Sequence, residues 1–323
     1  MINHLLVPLD GSSLAECVLP HVIALAPMSN AKVSLLHVMQ QPQHGGGVPA
    51  VDPIEWHLQK QSSEKYLDQV MMQMNSAGVL GVERVILEGN PANTVIEYAQ
   101  SNNVDLIVLS THGQSGLSGW NVSSVVQKIL LRAYKSILLV RAYTPSVFAD
   151  MTRVRYKRLF VGMDGSPRSE FVLPFAIGLA RFHKAQLILE TVIEKPQTVN
   201  RFPLAKEDED WIDKFVEKNY QAASRYQEHL LAQFSLQDVE LKAHVSIGDN
   251  AIAVLHDMAD EANADLVLLA AHGHSGEKRW PYGSLTTGFI AYGNSSLLIL
   301  QDLPEGEIHQ TRAEIAARES RGH

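Results

Sequence analysis

The feature that most constrains the fold is an internal repeat. The segment HLLVPLDGSSLAE at 4–16 aligns with RLFVGMDGSPRSE at 158–170, at an offset of 154 residues. Further along, NVDLIVLSTHGQSG at 103–116 aligns with NADLVLLAAHGHSG at 263–276, at an offset of 160 residues. Collinear matches of this kind identify two copies of one structural unit, with a short insertion in the second copy.

Each copy alternates apolar, β-branched runs with helical patterns. In the first copy the strands are predicted near 4–9, 32–39, 83–88, 104–110 and 136–141, and the helices near 13–26, 54–76, 91–102 and 123–133. The strand runs are almost continuously apolar, which is typical of strands covered on both faces. Strands that alternate with helices indicate right-handed crossovers and a parallel sheet. The predicted fold class is therefore α/β, with two doubly wound, five-stranded parallel-sheet domains in tandem.

The repeat also predicts how the chain is divided. The predicted division is a first domain at 1–143, a linker at 144–156, a second domain at 157–303 and a polar C-terminal tail at 304–323. The linker contains Val147 and Phe148, so we expect it to pack against a domain. The fifth strands, 136–141 and 296–301, would lie at sheet edges, and we expect them to pair across a pseudo-twofold axis. A homodimer of the tandem chain is left open.

Composition narrows the class of partner. The chain carries a net charge of −8, which disfavours a nucleic-acid backbone as partner. No apolar run approaches the length of a transmembrane helix, and the N-terminus MINHLLVPLDGSS lacks the features of a signal peptide. The single cysteine, Cys17, cannot form an intrachain disulfide and fits a reducing compartment. These features together predict a cytoplasmic location and no membrane span.

Two features follow strands in both copies. Asp10 and Asp164 each come directly after the first strand, and a glycine-containing loop follows the fourth. Open α/β sheets bind ligands at the carboxyl ends of the strands, where the strand order reverses. If the first and fourth strands are neighbours, the aspartate and the loop flank one crevice. The loop of the second copy ends in GSLTT at 283–287, where the N–H groups of a helix N-terminus could bind phosphate.

These residues resemble the universal stress protein family over about 300 residues of the chain, in both copies but not in the tail. The resemblance implies flavodoxin-like domains of the adenine nucleotide alpha hydrolase type. One branch of the family binds ATP through a loop written G-x2-G-x9-G-[ST] and an aspartate after the first strand. By resemblance, Asp10 and Asp164 match the aspartate that contacts the nucleoside.

The second copy follows that loop pattern except at its first position, which is Ala270. The remaining positions are Gly273, Gly283 and Ser284, followed by Leu285 at the start of the predicted helix. The loop also contains a Lys-Arg pair at 278–279, interpreted either as a screen for phosphate charge or as a solvated surface.

The first copy departs more from the pattern. Ser110 and Ser123 stand where the family has glycine, and only Gly113 and Ser124 match. A side chain at Ser123 is expected to crowd an approaching phosphate or to require a backbone conformation that serine disfavours. We therefore rank the second site above the first.

Structural interpretations stand beside these functional ones. The glycines could serve only to turn the chain, and the two aspartates could only brace the following turns. His112 and His272, next to the loop glycine, are predicted to hydrogen-bond the loop backbone, because a metal site lacks a second ligand at a useful spacing. Trp120 and Trp280 are predicted to be hydrophobic anchors. The irregular segments 40–53 and 195–210 are interpreted as surface loops, with a cover over the site as the alternative.

Three classes of function remain open. The first is a stress-response regulator that binds an adenine nucleotide, ATP or AMP, with Mg²⁺ as an optional companion. The second is a scaffold, or a protein that binds a small ligand or lipid, without nucleotide. The third is an enzyme, which is not favoured, because the sequence contains no G-x-x-x-x-G-K-[ST], G-x-G-x-x-G or G-x-S-x-G motif. Slow ATP hydrolysis is the most that the resemblance implies.

Overall fold

The computed structural model describes residues 2–40, 53–114, 116, 122–142, 155–196, 206–235, 237–274 and 281–303. The first repeat consists of β1 (His4–Pro8), α1 (Ser13–Glu16), α2 (Leu19–Ser29), β2 (Lys32–Met39), α3 (Pro53–Ser76), β3 (Val82–Glu88), α4 (Pro91–Ser101), β4 (Leu106–Ser110), α5 (Ser124–Arg132) and β5 (Ser136–Val140). The second consists of β6 (Arg158–Met163), a 3₁₀ turn (Ser169–Val172), α6 (Leu173–His183), β7 (Gln186–Glu194), α7 (Lys206–Phe234), β8 (Leu241–Gly248), α8 (Ala251–Glu261), β9 (Leu266–Ala270), α9 (Ser284–Tyr292) and β10 (Leu297–Leu300).

The strands form one continuous sheet in the order β3-β2-β1-β4-β5-β10-β9-β6-β7-β8. Within each repeat the neighbouring strands are parallel. The two halves meet where β5 and β10 pair antiparallel, with Leu138 opposite Leu298. The predicted α/β fold class is confirmed, and so is the predicted pairing of the fifth strands. The strand order reverses at β1–β4 in one half and at β6–β9 in the other, which creates two switch points.

The helix predicted over 13–26 differs from the structure. It is divided into α1 and α2, and α2 continues to Ser29. Pro20 lies in the first turn of α2, where its missing N–H costs no hydrogen bond, and α6 begins in the same way with Pro174. The proline therefore starts a new helix instead of continuing the old one.

Two hydrophobic cores cover the sheet, one on each face, and each spans both repeats. One core contains α2, α6 and inward-facing strand residues such as Leu35 and Leu189. The other contains α4, α5, α8, α9 and residues of opposite orientation such as Leu6 and Phe160. Because both cores cross the β5–β10 junction, burial of apolar surface joins the halves as well as filling each one.

Arg141, the residue after β5, ties the first repeat to the second. Its side chain is 1% exposed. The guanidinium donates to the carbonyl oxygens of Phe289 at 2.7 Å, Ile290 at 3.2 Å and Ser295 at 3.3 Å. These carbonyls lie at or just beyond the C-terminal end of α9, where a cation complements the helix dipole.

A second tie lies on the opposite face, between α2 and α6. The Tyr156 hydroxyl is 2.7 Å from Nδ1 of His21, and the Ser296 hydroxyl is 3.4 Å from Nε2 of the same ring. His183 Nε2 lies 3.0 Å from the carbonyl oxygen of Ala24. Burial lowers the pKa of His21 from 6.5 to about 4, so the ring is neutral at pH 7.

Several sequence predictions fall on residues outside this description. They are most of the linker, the greater part of the two irregular segments, the C-terminal tail, and the loop positions of Trp120, Trp280 and the Lys-Arg pair. Among the described residues, no helix combines the length and apolar character that crossing a membrane would need.

The first prediction concerns Arg141. The variant Arg141→Gln, which installs the residue of the matching position Gln301, should lower the free energy of unfolding by about 2–4 kcal/mol, because it removes the buried guanidinium that donates to three carbonyl oxygens at the end of α9. Arg84→Gln removes a half-exposed ion pair with Asp68 and should cost less than about 1 kcal/mol. Urea denaturation measures the free energy of unfolding of both variants. An equal loss of stability in Arg141→Gln and Arg84→Gln would contradict the role assigned to Arg141.

The second prediction concerns pH. Below pH 6.5 the unfolded chain protonates His21, whereas the folded chain does not do so until about pH 4. Stability contributed by the neutral ring is therefore lost as pH falls through this window, by about 2 kcal/mol between pH 7 and pH 5. His21→Gln should flatten this dependence in urea titrations, with the exposed His229→Gln as control. An unchanged slope in His21→Gln would refute the assignment.

Candidate functional site

The aspartates after β1 and β6 hold two loops together at each switch point. Oδ1 of Asp164 accepts hydrogen bonds from the Ser166 amide at 3.0 Å and the Ser166 hydroxyl at 2.6 Å. Its Oδ2 accepts from the amide of His274, at 2.6 Å, in the loop after β9. This contact is possible because β6 and β9 are adjacent. The predicted meeting of the aspartate and the distant loop therefore occurs.

Asp10 makes the same contacts in the first repeat. Its Oδ1 accepts from the amide and hydroxyl of Ser12, at 3.0 and 2.6 Å, and its Oδ2 accepts from the amide of Gln114 at 2.6 Å. Among the described residues, these bonds occupy three of the roughly four acceptor sites of each carboxylate. The contacts agree with the interpretation of the two aspartates as braces of the following turns.

The hydrogen bonds also set the charge state of Asp164. Burial alone would raise its pKa, but the bonds from the Ser166 hydroxyl, the His274 amide and the Ser166 amide outweigh it and lower the pKa below its ordinary value. The carboxylate is therefore ionised at neutral pH and carries a full negative charge at the rim of the site.

The loop glycines Gly113 and Gly273 are required by these carboxylates. A Cβ at either position would overlap Oδ2 of Asp10 or Asp164, respectively. The restriction is one of space and not of backbone angle, because neither glycine has a positive φ. One glycine of the family pattern is thus explained by the brace alone.

The last glycine position of the loop motif, which is 123 in the first repeat and 283 in the second, lies where α5 and α9 begin. Ser123 is the N-cap of α5 with φ −69° and ψ 160°, and its side chain accepts from the amide of Val126. Gly283 is the N-cap of α9 with φ −71° and ψ 172°, and no side chain caps that helix. The expectation that serine is strained at position 123 was wrong, because these angles are typical of a helix N-cap, a position that serine favours.

The first repeat contains an open cleft at its switch point. Its volume is 420 Å³. Side chains that are mostly apolar line it, with Asp10, Gly113 and Ser123 at one side; the others are Pro8, Leu9, Ala15, Leu36, Val38, Gln40, Pro91, Val95, Leu109, Ser110, His112, Gln114, Val125, Val126 and Ile129. Ser124 does not line the cleft. This size and character are typical of a small-molecule site.

The second repeat contains a much smaller cavity at the matching place. Its volume is 60 Å³, and all six of the predicted site residues of this repeat line it: Asp164, Ala270, Gly273, Gly283, Ser284 and Leu285. The structure thus brings together the predicted residues of the second repeat, but around a space of only one or two water molecules.

Two leucine side chains of the second repeat lie close to the backbone of Gly162. Gly162 replaces Pro8, and a Cβ there would lie 2.9 Å from Leu269 and 3.5 Å from Leu255, so these two leucines occupy the space. Glu190 stands at the position of Leu36 but does not line this cavity; it is buried, its carboxylate accepts from the Ser246 hydroxyl at 2.7 Å, and burial raises its pKa. The sequence motifs include none of Gly162, Leu255 and Leu269, although the 160-residue offset pairs Leu255 with Val95.

The two loop histidines have different partners. Nδ1 of His272 lies 2.7 Å from Oδ1 of Asp302, whose other oxygen is 3.6 Å from Nε of Arg168. Nδ1 of His112 lies 3.1 Å from the Thr111 hydroxyl. These two partners are side chains, and the hydrogen bonds expected between the two rings and the loop backbone stay a prediction. The described residues contain no group of three or more His, Cys, Asp or Glu side chains placed to hold a metal ion.

Comparison with known proteins agrees with the repeat and the fold. The model of the universal stress protein family matches residues 1–141 and again 155–301. Universal stress protein MJ0531 of Methanocaldococcus jannaschii is 30% identical over 143 residues, which cover 44% of this chain and 83% of that protein. The family model thus matches each half, and the similarity to this relative spans about the length of one half.

Solved structures match the whole tandem arrangement. Protein PA1789 of Pseudomonas aeruginosa PAO1, described as functionally unknown, aligns over 99% of this chain and 98% of its own, with 15% identity and a TM-score of 0.66. A universal stress protein of Archaeoglobus fulgidus aligns over 93% of this chain and 99% of its own, with 16% identity and a TM-score of 0.63. At these identities the likeness shows a shared fold. Since the family model matches both halves, the chain belongs to the universal stress protein family.

Proposed function

We propose that this protein binds an adenine nucleotide and acts as a stress-response regulator, with the nucleoside held in the cleft of the first repeat. The observation that carries the proposal is the 420 Å³ cleft between Asp10 and the N-terminus of α5, at the switch point of the sheet. Apolar walls such as Leu36, Val38 and Val95 suit a purine ring, and the remaining acceptor site of Asp10 suits a ribose hydroxyl.

Different observations favour each of the two repeats as the nucleotide site. The second repeat keeps more of the family's glycine pattern and leaves the N-terminus of α9 without a side-chain cap. Its 60 Å³ cavity, however, has no room for a nucleoside unless Leu255 and Leu269 move. Volume therefore favours the first repeat for the nucleoside, while the uncapped helix keeps the second repeat as the candidate for a phosphate group.

The alternative is a scaffold or a binder of apolar ligands. The filled cavity of the second repeat favours it for that half, and the apolar walls of the first cleft would accept a lipid chain as well as a purine. Under either function the predicted cytoplasmic location is retained as part of the proposal. No catalytic role is proposed.

The third prediction tests the first cleft. Val125 is 37% exposed at the cleft mouth, so Val125→Trp should block the cleft without disturbing the core. Leu131→Trp places the same side chain on the same helix at a residue that is 50% exposed and does not line the cleft. Isothermal titration with AMP and ATP, together with chromatography of nucleotide released on denaturation, should show binding lost in the first variant and retained in the second. Full binding by Val125→Trp would exclude this cleft.

The fourth prediction tests the ranking. At Gly283 a Cβ would meet only atoms 3.6 Å away or farther, so Gly283→Ser should fold normally and cap α9, as Ser123 caps α5. The melting temperature should stay the same or rise slightly, since serine is the better N-cap by a few tenths of a kcal/mol. Nucleotide stoichiometry should not change if the first repeat holds the ligand. A loss of bound nucleotide would restore the ranking that the sequence predicted.

A further inference from the structure

We infer that the first cleft selects adenine compounds of low charge, adenosine or its monophosphate, over ATP. The inference rests on the proposed function and concerns the same site. It starts from the charges that face the cleft. Of the described residues that line it, Asp10 is an acid and none is lysine or arginine. Among these described lining residues, a polyphosphate entering the cleft would meet a carboxylate and no lysine or arginine.

The sequence between β4 and α5 does not supply a cation either. The segment from 111 to 125 is THGQSGLSGWNVSSV, which contains neither lysine nor arginine. The matching segment of the second repeat, 271–285, contains Lys278 and Arg279. The absence of cationic residues is therefore specific to the first repeat and is not a general property of this loop.

The helix that follows the loop also offers less to a phosphate chain. The Ser123 side chain already accepts from the amide of Val126, so one of the free amides at the N-terminus of α5 is occupied within the protein. The partial positive charge of the helix remains, at about half a unit. This partial charge is smaller than the negative charge of the Asp10 carboxylate, so the two together leave the cleft negative, whereas ATP brings several further negative charges.

The walls, in contrast, favour the uncharged part of the ligand. Leu36, Val38 and Val95 are apolar and line a cleft large enough for a purine and a sugar. Binding energy would come mainly from burial of the base, which is the same for adenosine, AMP, ADP and ATP. Each added phosphate then contributes repulsion from Asp10 without a matching attraction.

The experiment measures the affinities of the full-length protein for adenosine, AMP, ADP and ATP, without Mg²⁺, at low and at high salt. Binding that persists in Val125→Trp is subtracted, so that only the first cleft is counted. Adenosine or AMP should bind about tenfold or more tightly than ATP at low salt. This difference in affinity should become smaller at high salt, because salt screens the repulsion between Asp10 and the phosphate groups.

A charge-introducing variant gives an independent test. Gln114 is exposed at the cleft, and its contact with Asp10 uses the backbone amide, which Gln114→Lys retains. The lysine should raise the ratio of ATP affinity to adenosine affinity about threefold or more. Gln100→Lys makes the same charge change on an exposed position in the last turn of α4, away from the cleft, and should change neither affinity.

The outcomes separate the inference from the function on which it rests. ATP binding more tightly than adenosine in wild type, with a loss of affinity at high salt, would overturn the inference and leave the nucleotide-binding function standing. No difference between Gln114→Lys and Gln100→Lys would also overturn it. If none of the four compounds binds in a manner that Val125→Trp abolishes, both the proposed function and the inference fail.

Discussion

The antiparallel ladder between β5 and β10 is the constraint on which the rest of the structure depends. In this ladder, β5 of the first half pairs with β10 of the second, so the two parallel sheets become one. The edge strands of the combined sheet are β3 and β8. Because the ladder is antiparallel, the carboxyl ends of the strands point in opposite directions in the two halves. The two switch points therefore lie at opposite ends of the strands, and each site is built from the loops of its own repeat.

Much of this architecture can be predicted from the sequence because its causes are local. The 154-residue offset, the apolar strand runs and the helical patterns between them determine the α/β class, and edge strands in a duplicated unit determine the pairing across the pseudo-twofold axis. The meeting of Asp164 with the loop after β9 follows from strand order alone. The break between α1 and α2 was also visible as Pro20, although the helical pattern around it concealed the break.

The size of each site could not be predicted in this way, because it depends on side chains from four separate segments. Pro8 and Val95 leave space in the first repeat, whereas Leu255 and Leu269 close the space above Gly162 in the second. No motif contains these residues together. Position 123 could not be interpreted from the sequence for a similar reason. A motif with glycine at this position does not say whether a special backbone angle or a helix N-cap is required. The angles φ −69° and ψ 160° show that the position is an N-cap, which suits serine.

The two repeats have thus diverged in complementary ways from one plan. Both keep the aspartate brace and the glycine that the brace requires, so the edge of each site is held in the same shape. The first repeat has the larger space, with no lysine or arginine among the described residues that line it, whereas the second has cationic loop residues in its sequence and a cavity of 60 Å³. Recognition of a nucleoside needs apolar space, and recognition of a phosphate needs positive charge. Under the proposed function, the two repeats would therefore each keep one of the two requirements of a nucleotide site.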